Sequence, residues 1–296
     1  MNADFNQALE AHLSGGLTTL CHAWAITRRD GEVFGFTDHD LPLSFAGVEF
    51  RADTGLSALA LSQSTGLSVD NTEALGALSS ASLREDEIEQ GRFDGAQVQA
   101  WVVNWADTAQ HWLNFRGTLG EITRADGGFR AELRGLTEGL NRPLGRVYQK
   151  PCSAVLGDSK CRFNLEQEGF DLALPVQAVE GARRFVWDGL LFYGADWFTR
   201  GRLEVLSGPA QGLWGTIKAD RIDNGTRVIE LWEPIRGLVE ATTQVRLVAG
   251  CDKRAQTCQS KFDNFANFQG FPDLPGEDWI LSVPSSTNVN TGGSLR

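Results

Sequence analysis

Four of the five cysteines stand in two spaced pairs far apart in the chain. Cys152 and Cys161 follow Gln149-Lys150-Pro151 as a C-x8-C pair, and Cys251 and Cys258 follow Gly250 as a C-x6-C pair. Thiolates are soft ligands, so four of them brought to one place could hold zinc or an iron–sulfur cluster. Two disulfides, or four buried free thiols, are the readings that need no metal. Structural zinc favours C-x2-4-C knuckles, because a tight turn presents two sulfurs to one small ion. Spacings of eight and six are too long for a knuckle. A cluster is larger, and wrapping loops can reach its irons, although neither spacing matches a ferredoxin pattern. Local charge points the same way. Lys150, Lys160 and Arg162 outnumber Asp158 around the first pair, and Lys253, Arg254 and Lys261 outnumber Asp252 around the second, in a chain whose net charge is −11. Cationic neighbours favour thiolate over thiol and offset the negative charge of a thiolate-ligated centre.

Both pairs must be positioned by what surrounds them. With 296 residues, 42% apolar and 22% charged, the chain is long enough for two globular domains. Residues 1–17 are polar and amphipathic, without the apolar stretch of a signal peptide. No run approaches the ~20 apolar residues of a membrane span. A chain of this kind is expected to fold in the cytoplasm, where disulfides are rare. Cys21 is the odd thiol and sits in an apolar run, which marks it as a buried strand residue. The acidity argues against nucleic-acid binding as the main activity, since such a binder normally shows a basic face.

The N-terminus predicts a short helix capped by Asp4, with Phe5, Leu9 and Leu13 on one face and Gly15-Gly16 as its stop. Strands follow, with a two-residue turn at Asp30-Gly31 between 20–29 and 32–37 and another at Ala46-Gly47. Thr37-Asp38-His39-Asp40 contains groups that could bind metal or move protons. At a strand end they more often make a turn held by side-chain hydrogen bonds. A second helix is expected to start from a capping box of Ser82 and Glu85 and to end at Gly91. The strand from Gln97 to Trp105 carries apolar groups on both faces, so it should be buried or lie at an interface. Asp126-Gly127-Gly128 is expected to turn a hairpin, and Thr137 to Arg142 a single helical turn. After the first cysteine pair a new strand set runs through 175–179, 183–188, 199–206, 213–222, 226–232 and 244–248. Short strands at regular turn signals mean an antiparallel barrel or sandwich. Beyond Cys258, the aromatics Phe262, Phe265, Phe268 and Phe271 recur in an arm with little regular structure, expected to pack over the cysteine loops or on a neighbouring chain. The low-complexity tail, 283–296, is expected to be ordered only by a partner.

No G-x-S-x-G elbow, P-loop or H-E-x-x-H is present, so no catalytic residue is assigned. The segment from Gly250-Cys251-Asp252-Lys253-Arg254 to Lys261-Phe262, running into Asn264-Phe265-Ala266-Asn267-Phe268-Gln269-Gly270-Phe271-Pro272, resembles the baseplate hub proteins of siphophage-like tails. That group includes phage lambda minor tail protein L and the hub protein of alphaproteobacterial gene transfer agents. The C-x8-C and C-x6-C pairs agree with it, and so do Leu20-Cys21-His22-Ala23-Trp24, Thr27-Arg28-Arg29-Asp30-Gly31 and Gly35-Phe36-Thr37-Asp38-His39-Asp40. The resemblance implies a [4Fe-4S] cluster held by Cys152, Cys161, Cys251 and Cys258. It implies a homotrimeric ring of chains with two similar β-barrel domains each, set between the distal tail protein ring and a larger tail-tip hub protein, with the tape-measure protein as a further candidate partner. DNA would pass through without sequence-specific binding.

The expected architecture is mainly β, with two antiparallel barrel or sandwich domains and short helices, joined by an irregular iron–sulfur-binding region. The boundaries are 1–146 for the first barrel, 147–164 for the first half of the cluster region and 165–249 for the second barrel. The second half of the cluster region with its Phe-rich arm is 250–282, and the partner-bound tail is 283–296. The expected function is a structural baseplate hub at the tail tip of a particle assembled in the bacterial cytoplasm. An iron–sulfur redox or sensor protein and a zinc-stabilised binding module are the alternatives.

Overall fold

The computed structural model describes residues 7–52, 56–58, 71–76, 84–125, 128–136 and 145–274. The chain divides into two compact units, Met1–Leu144 and Gly145–Arg296. Each is built on one sheet, so the architecture is mainly β with few helices. No helix among the described residues is long and apolar enough to cross a membrane.

The first unit opens with helix α1 (Gln7–Ser14), which buries Leu9 and leaves Leu13 exposed. Its sheet contains β1 (Leu20–Thr27), β2 (Val33–Thr37), β3 (Leu43–Phe45), β4 (Val48–Arg51), β5 (Leu56–Ala58), β6 (Asn71–Gly76), β7 (Gln97–Asn104), β8 (His111–Ala125) and β9 (Gly128–Gly135). The spatial order is β3-β4-β2-β1-β7-β8-β9-β6-β5. Strands β1 and β7 are apolar on both sides because both sides are covered. Trp24, Ile26, Val98 and Ala100 join one core with Phe36, Phe93, Phe115 and Leu133. Ala23, Ala25, Trp101 and Val103 join a second core with Cys21, Leu43, Phe45 and Phe50. Cys21 is therefore the buried strand residue its context indicates.

Several local expectations change. The β1–β2 connection is larger than a two-residue turn. Pairing ends at Thr27↔Val33, and the Arg28 N–H donates to Glu32 O at 2.9 Å. The reason is the Arg28 side chain, which is buried, pairs with Asp30, Glu32 and Glu87, and curls the loop around itself. The β3–β4 turn is tight as expected, with Ala46 and Gly47 at φ 49° and 76°. One pair, β2 with β4, is parallel in an otherwise antiparallel sheet. Helix α2 (Glu85–Glu89) starts after Arg84, which makes no side-chain cap. The Thr37–Asp40 stretch is a hydrogen-bonded turn. Thr37 Oγ1 donates to His22 O at 2.8 Å, and Asp38 accepts both the His22 N–H at 2.6 Å and the His22 ring at 2.9 Å. Asp4, Phe5, Ser82, Asp126-Gly127, the 137–142 turn and the 283–296 tail lie outside the described residues.

The second unit contains β10 (Asp171–Pro175), β11 (Ala178–Glu180), β12 (Arg184–Asp188), β13 (Arg202–Val205), β14 (Trp214–Asp223), β15 (Thr226–Leu231) and β16 (Gln244–Val248). Their order is β10-β16-β13-β14-β15-β12-β11. Strand β10 is missing from the sequence reading because its one-sided apolar pattern ends in Pro175, a residue confined to edge strands. The β14–β15 hairpin uses Asn224 and Gly225 at φ 49° and 84°, the positive angles a two-residue turn demands. A bulge between Ile217 and Ala219 bends β14, so its first half pairs β13 and its second half β15. The bent sheet wraps a core of Phe185, Trp187, Phe198, Leu203, Ile217 and Ile229 with their neighbours. Neither sheet closes into a full barrel among the described residues, since each order runs from edge to edge.

Inside this core lies a charged pair. Arg227 and Asp220 are 0% and 1% exposed and meet through two bonds of 2.7 and 2.9 Å. Arg227 also donates to the carbonyls of Leu190, Tyr193 and Gly194, and Asp220 accepts the Phe198 N–H. Removing one partner strands a buried charge, which typically costs about 3–5 kcal/mol. Arg227→Met is therefore expected to destabilise the second unit by about that amount. Denaturant unfolding followed by tryptophan fluorescence checks this, and a loss under about 1 kcal/mol would show that the pair does not hold the 190–198 loop.

Candidate metal centre

All four paired cysteines lie in the second unit and line one cavity with Ala154, Leu156, Lys253, Arg254, Phe262, Asn264, Asn267 and Phe268. All five cysteines of the chain are free thiols, so no disulfide joins them. Cys161 and Cys258 are buried, while Cys152 and Cys251 are half-buried. The open space between the walls is about 10 Å³, room for about one water. Among the described residues, no group of three or more His, Cys, Asp or Glu is arranged to hold a metal ion.

Each thiol is placed by a local device. In the first loop the Asp158 carboxylate accepts the N–H groups of Val155, Lys160 and Cys161 at 2.8, 2.9 and 2.6 Å. These bonds, that from Cys161 first, hold the Asp158 carboxyl below its ordinary pKa. They also fold 155–161 into a knot that turns Cys161 inward. In the second loop Asp252 accepts the Arg254 N–H at 3.0 Å and the Thr257 hydroxyl at 2.8 Å. That contact starts the short helix α3 (Ala255–Ser260), which carries Cys258 to the cavity on its buried side. Lys253 adopts φ 66° just before it, so the chain turns sharply after Cys251.

The two loops are tied together by peptide groups as well as by side chains. The Cys152 N–H donates to Lys253 O at 2.9 Å, and the Lys253 ammonium donates back to Ala154 O. Gly250 passes so close to the 199–201 backbone that a Cβ there would lie 1.7 Å from Thr199 O, which only glycine avoids. Lys261 seals this crossing. Its Nζ donates to Trp197 O at 2.6 Å and Gly250 O at 2.9 Å and sits 4.2 Å from the Trp197 ring centroid. Burial pushes the Lys261 pKa down to about 8. A small core of Ala154, Cys161, Phe163, Ala249 and Phe262 backs the cavity, with Phe163 edge-on to Phe170 and Phe262. The regions set apart in the sequence as linking segments, 147–164 and 250–282, thus belong to the second sheet's own unit, the latter being described to residue 274.

The Phe-rich arm covers the cysteine loops. Phe262 is in the small core, Phe265 stacks on Phe268, and Phe271 lies against Tyr148 and Arg146. The arm's backbone pairs with the first loop through Phe271 N–H to Gln149 O at 2.9 Å. The sequence reading found the four thiols and the aromatic arm. It counted Asp158 and Lys261 only as charges and did not single out Trp197 or Asn264. Asp158 acts within its own loop, while Lys261, Trp197 and Asn264 act through contacts with chain distant in sequence. The D-x-x-C pattern of the first loop and the D-K-R pattern of the second were a usable signal for the two aspartates.

The electrostatics describe thiols that need a counter-charge to ionise. Burial, with Cys251, Cys152 and Cys161 close by, pushes the Cys258 thiol up to about 11. Burial also raises Cys251, opposed by the N–H and charge of Lys253. Both thiols of the second pair are therefore protonated at neutral pH in the metal-free chain, and a metal centre would bind by displacing those protons. Lys261→Met is expected to take this donor from the Gly250 carbonyl and leave the Trp197 carbonyl with the Gly250 N–H alone. A loss of about 1–3 kcal/mol follows, measured by thermal or denaturant melting of the metal-free chain.

The match to known proteins covers the same regions. The family described as "Baseplate hub protein, N-terminal attachment domain" matches residues 6–164, which include Cys152 and Cys161. The family described as "Phage conserved hypothetical protein BR0599" matches residues 196–278, which include Cys251 and Cys258. No curated protein matches the chain. A solved structure titled "Virion of native gene transfer agent (GTA) particle" contains a chain 50% identical to this one. The two superpose with a TM-score of 0.91, over 98% of this chain and 100% of that one. With one family spanning more than half of its length, and that identity along nearly all of it, the chain belongs to the baseplate hub protein family.

Proposed function

We propose that this chain is a structural hub of a phage or gene-transfer-agent tail, located in the particle's tail tip. It would form a homotrimeric ring that joins the tail tube and distal tail ring to a larger tail-tip hub protein and lines the path of the DNA. Cys152, Cys161, Cys251 and Cys258 would hold a [4Fe-4S] cluster. Family membership and the gene-transfer-agent relative support the tail role, which is structural and not enzymatic. The observation that carries the cluster is that two cysteine pairs, far apart in sequence, line one cavity.

The donor set fits a polynuclear centre. One sulfur per iron asks for thiols spread around a volume, whereas a single zinc asks for thiols converging on a point. The four cysteines line one cavity. The narrow space means that the lining would move outward on loading. Lys253, Arg254 and Lys261 supply positive charge against a thiolate-rich centre. When bound, the cluster would supply iron–thiolate bonds between 152–161 and 251–258, bracing loops with little regular structure. The protein's own part is to hold the thiols, exclude water with Phe262 and Phe268, and offset the charge. An acidic lining would let DNA slide without sticking, which the net charge of −11 suits.

Elemental analysis of protein purified without oxygen tests this reading. Iron and acid-labile sulfide of about four each per chain are expected for a cubic cluster with four thiolate ligands. Zinc in their place would overturn it in favour of a mononuclear site. Cys152→Ser and Cys258→Ser are expected to abolish the brown colour and tail assembly while the first unit stays folded. Normal particle assembly or DNA transfer with Cys258→Ser would count against a bracing role.

A further inference from the structure

We propose that Asn264 is a positioning residue of the metal centre, joining the two cysteine pairs and tuning the Cys161 sulfur. The inference rests on the cluster reading above. Three bonds carry it. The Asn264 backbone N–H donates to Cys258 O at 3.0 Å. Its side-chain Nδ2 donates to Cys161 O at 2.7 Å and to Cys161 Sγ at 3.5 Å. One residue of the arm thus grips the helix end that carries Cys258 and the loop that carries Cys161.

The orientation of the amide is set by its other partner. Asn267 Nδ2 donates to Asn264 Oδ1 at 2.8 Å, so the oxygen is engaged and the N–H₂ faces the sulfur. The arm makes a second contact of the same kind, with the Gln269 N–H 3.4 Å from Cys152 Sγ. Both sulfurs of the first pair therefore receive an N–H from the arm. Hydrogen bonds to ligating sulfurs draw charge off them, favour the more negative reduced state and raise the reduction potential. Asn264 would act through Cys161, without touching iron.

The test uses full-length protein loaded without oxygen, read by iron content, visible spectrum and spectroelectrochemical potential. Asn264→Ala is expected to lower the potential at undiminished iron content. Asn264→Asp, which removes the donor and adds negative charge, should lower it further. Asn264→Ser, which keeps a hydroxyl donor, should fall between Asn264→Ala and the unmodified protein. Asn267→Ala, at a residue that itself bonds no sulfur, frees the Asn264 amide to flip away from Cys161 Sγ part of the time, and should shift the potential in the same direction by less. An unchanged potential in Asn264→Ala and Asn264→Asp with full iron would overturn this inference alone. Should the Asn264 variants fail to load iron, an unchanged potential in Asn267→Ala would overturn it. Absence of iron from the unmodified protein would overturn it together with the cluster reading, and that result is seen before any variant is made.

Discussion

The buried pair of Arg227 and Asp220 is the contact on which the second unit depends. Neither charge has water, so each must be satisfied by protein. Asp220 takes the guanidinium and the Phe198 N–H, and Arg227 takes the carbonyls of Leu190, Tyr193 and Gly194. An irregular loop is thereby fastened to the sheet at both of its ends. That loop ends in Trp197, whose carbonyl accepts the Gly250 N–H and the Lys261 ammonium. From Gly250 it is one residue to Cys251. The charge pair, the loop and the second thiol loop form a continuous chain of hydrogen bonds from the core of the sheet to the wall of the cavity.

The cavity itself shows how a site can be built with almost no regular secondary structure. Its loops satisfy their backbone groups with carboxylates, amides and ammonium groups in place of strand partners. Asp158 gathers three N–H groups, Asp252 starts α3, and Lys253 and Lys261 each cap carbonyls from other segments. The cost of burying thiols close together appears in the raised pKa of Cys258 and Cys251. The crowding disfavours bare thiolates at this place.

Much of the first unit was legible because its signals are local. Alternation of apolar residues placed β1, β7 and the strands after residue 183, and Ala46-Gly47 and Asn224-Gly225 announced tight turns through backbone angles that few residues accept. Thr37–Asp40 reads as a turn because a Thr hydroxyl can bond backbone two residues on, as Thr37 Oγ1 does in accepting the His39 N–H. The failures have physical causes as well. The β1–β2 loop is larger than its Asp30-Gly31 dipeptide suggests, since the buried Arg28 draws Asp30, Glu32 and Glu87 around it. Strand β10 hides behind Pro175.

Residue types and spacing determined by themselves that four thiols were available, that both segments were cationic within an acidic chain, and that an aromatic arm followed them. Those are properties of the chain read in one dimension. Only the tertiary structure decided that both pairs share a cavity, that the arm lies over them, and that Asn264 reaches from Cys258 to Cys161. It also decided that Arg227, unremarkable in a strand, is fully buried against Asp220. Each of these depends on which distant backbone groups arrive beside a side chain, and local sequence carries no record of that arrival.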